Sequence, residues 1–172
     1  MDALRVILLS LASLDKAPEG ANPSTRVPKR YVSFVPRPED VLAAHNFIRN
    51  KVGVPPLAWS DELAHVAQRW AERLMNDGIF VHSSEISYGE NLYQLSGHGP
   101  TSTPFQVVSA WAAESDFYDY ETNTCRRKCG HYKQVVWRTT KQVGCAVTRD
   151  DNREIWVCEY APYGNIIGKR PY

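Results

Sequence analysis

The five histidines, at positions 45, 65, 82, 98 and 131, are the side chains of this chain best suited to acid–base or metal chemistry. They form no H-E-x-x-H pattern, the spacing by which one helix face holds zinc. There is no G-x-S-x-G elbow and no glycine-rich phosphate loop ending in lysine, so neither a hydroxyl nucleophile nor a phosphate cradle is visible. His65 falls mid-helix and reads as a surface or boundary residue. His98, between Gly97 and Gly99, reads as an exposed loop residue. His45, beside Asn46, reads as a packed, hydrogen-bonded histidine. His82, Glu90, Glu114 and His131 each sit at or near a junction between expected elements, Glu114 late in the third of the expected helices. Their spacing alone assigns them no common role.

The four cysteines, at 125, 129, 145 and 158, are the other chemical resource. Residues 142–149 and 154–160 are both strand-like and are separated by Asp150-Asp151-Asn152-Arg153. With Asp151-Asn152 as a two-residue hairpin turn, the register sets Arg149 opposite Glu154, Val147 opposite Trp156 and Cys145 opposite Cys158. Counting outward from the turn, the cysteine pair is a non-hydrogen-bonded one. There the strands lie closest and a cross-strand disulfide fits. That choice leaves Cys125 with Cys129. A four-thiolate zinc site is the rival reading, but neither pair has the C-x2-C spacing of a zinc knuckle. Two disulfides imply an oxidising compartment and remove the thiols as nucleophiles.

The elements that must position these residues follow from periodicity. A helix is expected from Pro38 to about Val52, with acids in its first turn, Val41, Ala44 and Ile48 on one face and Gly53 at its stop. Ser60 caps a second helix, where Leu63, Ala67, Trp70 and Leu74 share a face, and Gly78 ends it. Residues 79–102 read as one long polar loop. Thr103, Pro104 and Gln106 form a capping box for a third helix whose apolar face is Val107, Ala110 and Trp111. A short fourth helix is expected over 131–137.

At 172 residues, with 43% hydrophobic and 23% charged residues, the chain has material for one ordinary core, which excludes wholesale disorder. No run approaches 18 apolar residues, so no transmembrane segment is expected. A net charge of +1 argues against a nucleic-acid binder driven by bulk charge. Residues 1–17 read as a candidate signal peptide: Arg5 precedes an apolar centre from Val6 to Leu14, and Ala17 is the cleavage position. Residues 18–36, with Pro18, Pro23, Pro28 and Pro36, read as a proline-rich extension rather than a folded layer. The domain is expected over 37–172.

Cys129-Gly130-His131-Tyr132-Lys133-Gln134-Val135-Val136-Trp137 resembles a signature of the CAP superfamily, which groups cysteine-rich secretory proteins, antigen five and plant pathogenesis-related class-one proteins. Val157-Cys158-Glu159-Tyr160-Ala161-Pro162-Tyr163-Gly164-Asn165 resembles its second signature. His45-Asn46 with Arg49, Gly53-Val54-Pro55-Pro56-Leu57 with Trp59, Gly89-Glu90-Asn91-Leu92, and Trp111 with Glu114 match further family motifs in order. The ending Gly168-Lys169-Arg170-Pro171-Tyr172 resembles the plant branch.

The resemblance implies an α+β fold, a three-layer α-β-α sandwich around a small antiparallel sheet. It implies a cleft lined by His82, Glu90, Glu114 and His131. Those four could hold a divalent cation such as zinc, work as an acid–base set, or simply brace the cleft. No cofactor is required on this reading. A secreted, defence-type protein that binds rather than turns over substrate is the expectation, in the extracellular space or the vacuole. The alternatives are a metal-assisted hydrolase with His82 and His131 as ligands and Glu90 or Glu114 as base, or a pure protein-interaction module. Expected partners are a sterol or other lipid, met by the aromatic stretch Phe117, Tyr118 and Tyr120, and a pathogen or host protein, with the chain as a monomer. The resemblance also implies an eleven-residue signalling peptide, 162–172, released between Ala161 and Pro162. Pro162, which removes a ladder donor, with Gly164 and Gly168 suggests a tail that can peel away. Four positions depart from the plant pattern, one of them Lys133 in place of the usual Thr. Gly78 and Asp151 stand where relatives carry a disulfide pair, and Glu159 replaces the usual Asn, three residues before the cut.

Overall fold

The computed structural model describes residues 30–84, 87–97, 99 and 101–172. The candidate signal peptide, most of the proline-rich extension and His98 lie outside these residues. In chain order the elements are β1 (Val32–Phe34), α1 (Pro38–Lys51), β2 (Ala58–Trp59), α2 (Asp61–Asp77), β3 (Gly89–Ser96) and α3 (Pro104–Ala112). A 3-10 turn (Ala113–Phe117), β4 (Tyr118–Asp119), β5 (Thr124–Cys125), α4 (Gly130–Val135), β6 (Gln142–Arg149) and β7 (Arg153–Ala161) complete them.

The sheet runs β1-β6-β7-β3, antiparallel throughout, and β2 pairs parallel with β6. Its two faces are covered differently. Ile155 and Val157 of β7, with Ala146 of β6, pack under Ala67, Ala71, Leu74 and Met75 of α2. Trp156, Cys158 and Tyr160, with Cys145 and Val147, face Val41 and Ala44 of α1, Val107 and Trp111 of α3, and Val135 of α4. This is the alternation of a strand buried on both faces, and it makes the three-layer α-β-α sandwich.

The β6–β7 register is the expected one: Arg149 opposes Glu154, Val147 opposes Trp156 and Cys145 opposes Cys158. The Cys145 and Cys158 Cα atoms are 4.1 Å apart and disulfide-bonded, as a narrow pair allows. Cys125 and Cys129 form the other disulfide, and the chain has no free cysteine. Ser60 accepts from the Leu63 amide, Gly78 closes α2 at φ +69°, and the Thr103–Gln106 capping box is complete.

Four expectations are corrected. The supposed loop 79–102 contains β3, eight residues paired with β7 along their whole length. Its polar Glu90, Asn91 and Gln94 hid it, and only β7 supplies the reason for extension. Val32–Phe34, assigned to the extension, is an edge strand on β6. The fourth helix is Gly130–Val135 rather than 131–137, an end shift of one to two residues. Glu114 lies in the 3-10 turn after α3, not in the helix itself.

Candidate functional site

Helix α4 carries His131 but has only six residues, too few to hold itself together in water. Other elements satisfy both its ends. At the N-terminus, the Glu114 carboxylate accepts from the His131 amide at 2.9 Å, from the Tyr132 amide at 3.3 Å and from the His131 ring Nδ1 at 2.7 Å. A carboxylate there also suits the helix dipole. At the C-terminus, the buried Arg49 of α1 donates to the carbonyls of Val135 (2.9 Å), Trp137 (3.0 Å) and Thr140 (3.2 Å), and to Pro55 (2.8 Å). Burial pushes the guanidinium down to about 10, so it stays charged at neutral pH. The Trp111 ring stacks on His131 at 6.3 Å.

Glu90 on β3 repeats the arrangement. Its carboxylate accepts from the His82 ring and from the Ser83 amide, at 3.2 and 3.3 Å to the two oxygens. The His82 pKa is raised, first by this hydrogen bond to Glu90, against partial burial. The four expected residues are therefore two His–Glu pairs, each carboxylate engaged by a ring and a backbone amide. Among the described residues, no group of three or more His, Cys, Asp and Glu is arranged to hold a metal ion. Of the roles open to the four residues, this paired arrangement is the geometry that bracing the cleft would need.

Behind the pairs runs a buried network the sequence did not reveal. Asn91, beside Glu90, donates to the His131 carbonyl at 3.1 Å and to the Tyr160 hydroxyl at 3.4 Å. His45 Nδ1 meets the Val41 carbonyl at 2.8 Å and so carries the proton, leaving Nε2 to accept from Tyr160 O–H at 2.9 Å. Burial pushes His45 down to about 4, which keeps this ring neutral. His45 is thus the packed histidine its position suggested, and His65 is exposed.

The aromatic stretch forms a small hairpin of β4 and β5, closed by Arg126 N–H to the Phe117 carbonyl at 2.8 Å. A cation lies over each ring: Arg127 over Phe117 at 5.4 Å, Lys133 over Tyr118 at 5.8 Å and Arg170 over Tyr120 at 5.5 Å. Phe117 and Tyr118 are half-buried and Tyr120 is exposed. A second apolar feature has no counterpart in the sequence reading. Phe47 of α1 and Phe105 of α3, 51% and 53% exposed, line an open groove of about 540 Å³ with Ala43, Thr103 and Pro104. Phe47 lies off the apolar face of α1, which is the only signal that could have found it.

Residues 162–172 do not hang free. The Gly164 amide donates to Gln134 Oε1 at 2.9 Å, and Asn165 donates to the Gly130 carbonyl at 2.9 Å. Gly164 is buried, and a Cβ there would lie 2.7 Å from Trp137 and 2.9 Å from Gln134. Close packing, not looseness, explains that glycine. Pro162 and Tyr163 are exposed beside Ala161, but Glu159 is buried within β7, opposite Glu90 and Gly144. A protease could not read Glu159 without opening the strand. Near Gly78 and Asp151, the Arg153 guanidinium ties the β6–β7 hairpin to the end of α2 by donating to the Ile79 carbonyl at 2.6 Å.

Two helical layers around this antiparallel sheet, with Glu90 of β3 paired to His82 and His131 of α4 paired to Glu114, define the class of protein. The chain belongs to the CAP family, the cysteine-rich secretory protein family, which it matches over residues 42–160. It is 46% identical over 135 residues to pathogenesis-related protein PR-1 of Medicago truncatula, covering 76% of each chain. It is 45% identical over 137 residues to pathogenesis-related protein 1C of Nicotiana tabacum, covering 78% of this chain and 80% of that one. Among solved structures it is similar to Schistosoma mansoni venom allergen-like protein 4, with a TM-score of 0.61 and 29% identity over 78% of this chain and 92% of that one. It also resembles NaASP2, crystallised with Zn2+, at a TM-score of 0.67 and 26% identity over 78% and 83%. Among the described residues no helix is long and apolar enough to cross a membrane.

Proposed function

We propose that this is a secreted plant-defence protein that works by binding a sterol or another lipid, and whose residues 162–172 are released as a signalling peptide. The relatives named pathogenesis-related support the defence role, and the two disulfides suit an oxidising, extracellular compartment. The observation that carries binding over turnover is the state of the two carboxylates. Glu90 and Glu114 are each occupied by a backbone amide and a histidine, which suits bracing better than proton transfer to a substrate. A metal-assisted hydrolase would need ligands that the paired arrangement does not gather.

Flat, rigid ring systems suit aromatic faces, and the hairpin offers Phe117 and Tyr118. The Phe47–Phe105 groove is the second apolar surface, so the assay must separate the two. Titration with a fluorescent sterol is expected to weaken about ten-fold in Phe117→Ala and Tyr118→Ala, the loss of one good aromatic contact, and to be unchanged in Phe47→Ala. Unchanged affinity in folded hairpin variants removes the hairpin site, and weakening in Phe47→Ala alone moves it to the groove. For the peptide, incubation with extracellular plant fluid is expected to yield a fragment beginning at Pro162 by mass spectrometry. An intact segment under conditions that process a relative ends that part of the reading.

A further inference from the structure

We infer that the domain contains a binding site for its own residues 162–172, which recognises an Arg-Pro-Tyr peptide, so that cutting before Pro162 leaves the peptide docked and its departure is a separate step. The biological use of the site rests on the peptide-release reading above; the site itself does not.

The contacts fall at two ends. At the far end, the Tyr172 ring stacks on Tyr120 at 4.9 Å with 16° between planes. The Tyr172 hydroxyl pairs with Tyr132 O–H at 2.9 Å, and its carbonyl oxygen accepts from Tyr120 O–H at 2.7 Å. Pro171 is buried, and its carbonyl accepts from the Arg138 amide at 2.7 Å. Arg170 donates to the carbonyls of Tyr120 (3.0 Å) and Glu121 (2.9 Å), charge-assisted bonds of the stronger kind. At the near end stand the Gly164 and Asn165 bonds to Gln134 and Gly130. Between the ends, residues 166–169 are exposed, Ile167 at 99%. Arg, Pro and Tyr thus each meet a specific partner, while the residues between meet solvent.

The receiving surface holds its shape by bonds that do not involve the tail. Tyr118 O–H donates to Asn123, the Thr122 amide to Asp119, and the Cys125–Cys129 disulfide closes the hairpin onto α4. A site ordered before its ligand arrives loses less entropy on binding. While the segment is covalently attached, its effective concentration keeps the site filled.

The test uses the full chain carrying Arg170→Ala and Tyr172→Ala, which removes the side-chain contacts of the far end, and a labelled synthetic peptide of sequence 162–172. The peptide is expected to bind this variant saturably and the wild-type chain at least about ten-fold more weakly, because the wild-type segment competes intramolecularly. A peptide ending in Ala in place of Tyr172 is expected to bind at least about ten-fold more weakly than the authentic one. No binding to the folded variant, or binding indifferent to that Tyr, overturns the proposal. Should the variant fail to fold, the wild-type chain nicked by thermolysin at the exposed Ile166–Ile167 bond serves instead. Retention of the fragment from Ile167 onward through gel filtration supports the site, and its loss overturns it. Neither arm depends on plant processing. Failure to find a Pro162 fragment in plant fluid with peptide binding intact therefore sinks only the release reading, and the converse sinks only this one.

Discussion

Gly144→Ala is expected to destabilise the domain by at least about 3 kcal/mol, the top of the usual overpacking range, and to lower the melting temperature by roughly 10 °C. A Cβ at this position would lie 2.2 Å from the Ala64 amide nitrogen, 2.5 Å from the Ser60 carbonyl oxygen and 2.6 Å from the Leu63 carbonyl carbon. All three are backbone atoms in the first turn of α2, so no side chain can rotate out of the way. The helix would have to lift from β6, although Ala67 and Ala71 on its inner face are fully buried against the sheet. Small residues on both sides are what bring helix and strand so close. Thermal unfolding followed by circular dichroism checks this. Gly130→Ala is the control, because its nearest neighbour would be Asn165 Nδ2 at 3.8 Å. A melting temperature for Gly144→Ala within 2 °C of wild type would show that α2 is not held where it is drawn.

Arg49→Met is the second large effect, with an expected loss of about 3–5 kcal/mol despite similar side-chain volume. The cost arises from the carbonyls left behind. Pro55, Val135, Trp137 and Thr140 all accept from this one guanidinium. Methionine fills the space and donates to none of them, and each buried acceptor left unpaired costs about 1–3 kcal/mol. A typical domain has only about 5–15 kcal/mol in total. The loss should also be directional. Three of the four carbonyls lie at and after the end of α4, so this six-residue helix should loosen before the sheet does. Urea titration measures the global loss, and amide exchange at Tyr132 to Val136 reads the local one. Equal exchange there in variant and wild type, with unchanged urea midpoint, would contradict the capping role. Arg49→Lys is expected to recover only part, since one ammonium cannot spread three donors across four carbonyls as a planar fork does.

Arg49 and Glu114 stand in matched motifs, yet their spacing gives neither one a role. Arg49 looks like one more surface-type charge near a helix end, yet it is fully buried. Glu114 looks solvated by spacing, yet it caps a helix that begins sixteen residues later. The His–Glu residues could be named individually by resemblance. That they form two separate pairs depends on β3 and α4 being set beside their partners, which no spacing encodes. The docked course of 162–172 was likewise invisible, because its partners Tyr120, Tyr132 and Arg138 lie 52, 40 and 33 residues from the tail residues they meet.

What the chain determined by itself is what rests on neighbours in sequence. The Ser60 and Thr103 caps, the Gly78 stop and the β6–β7 register follow from side chains that reach only a few residues, or from a turn whose chemistry sets everything paired beyond it. The Cys145–Cys158 disulfide came with that register. Strands β1 and β3 needed the tertiary structure. Each is extended because a distant strand, β6 or β7, shares its hydrogen bonds, and the buried Asn91 and partly buried Glu90 find partners only once His82, His131 and Tyr160 stand beside them. Local bonds can be read along the chain, whereas a bond between residues forty or more apart exists only after the chain has closed the loop between them.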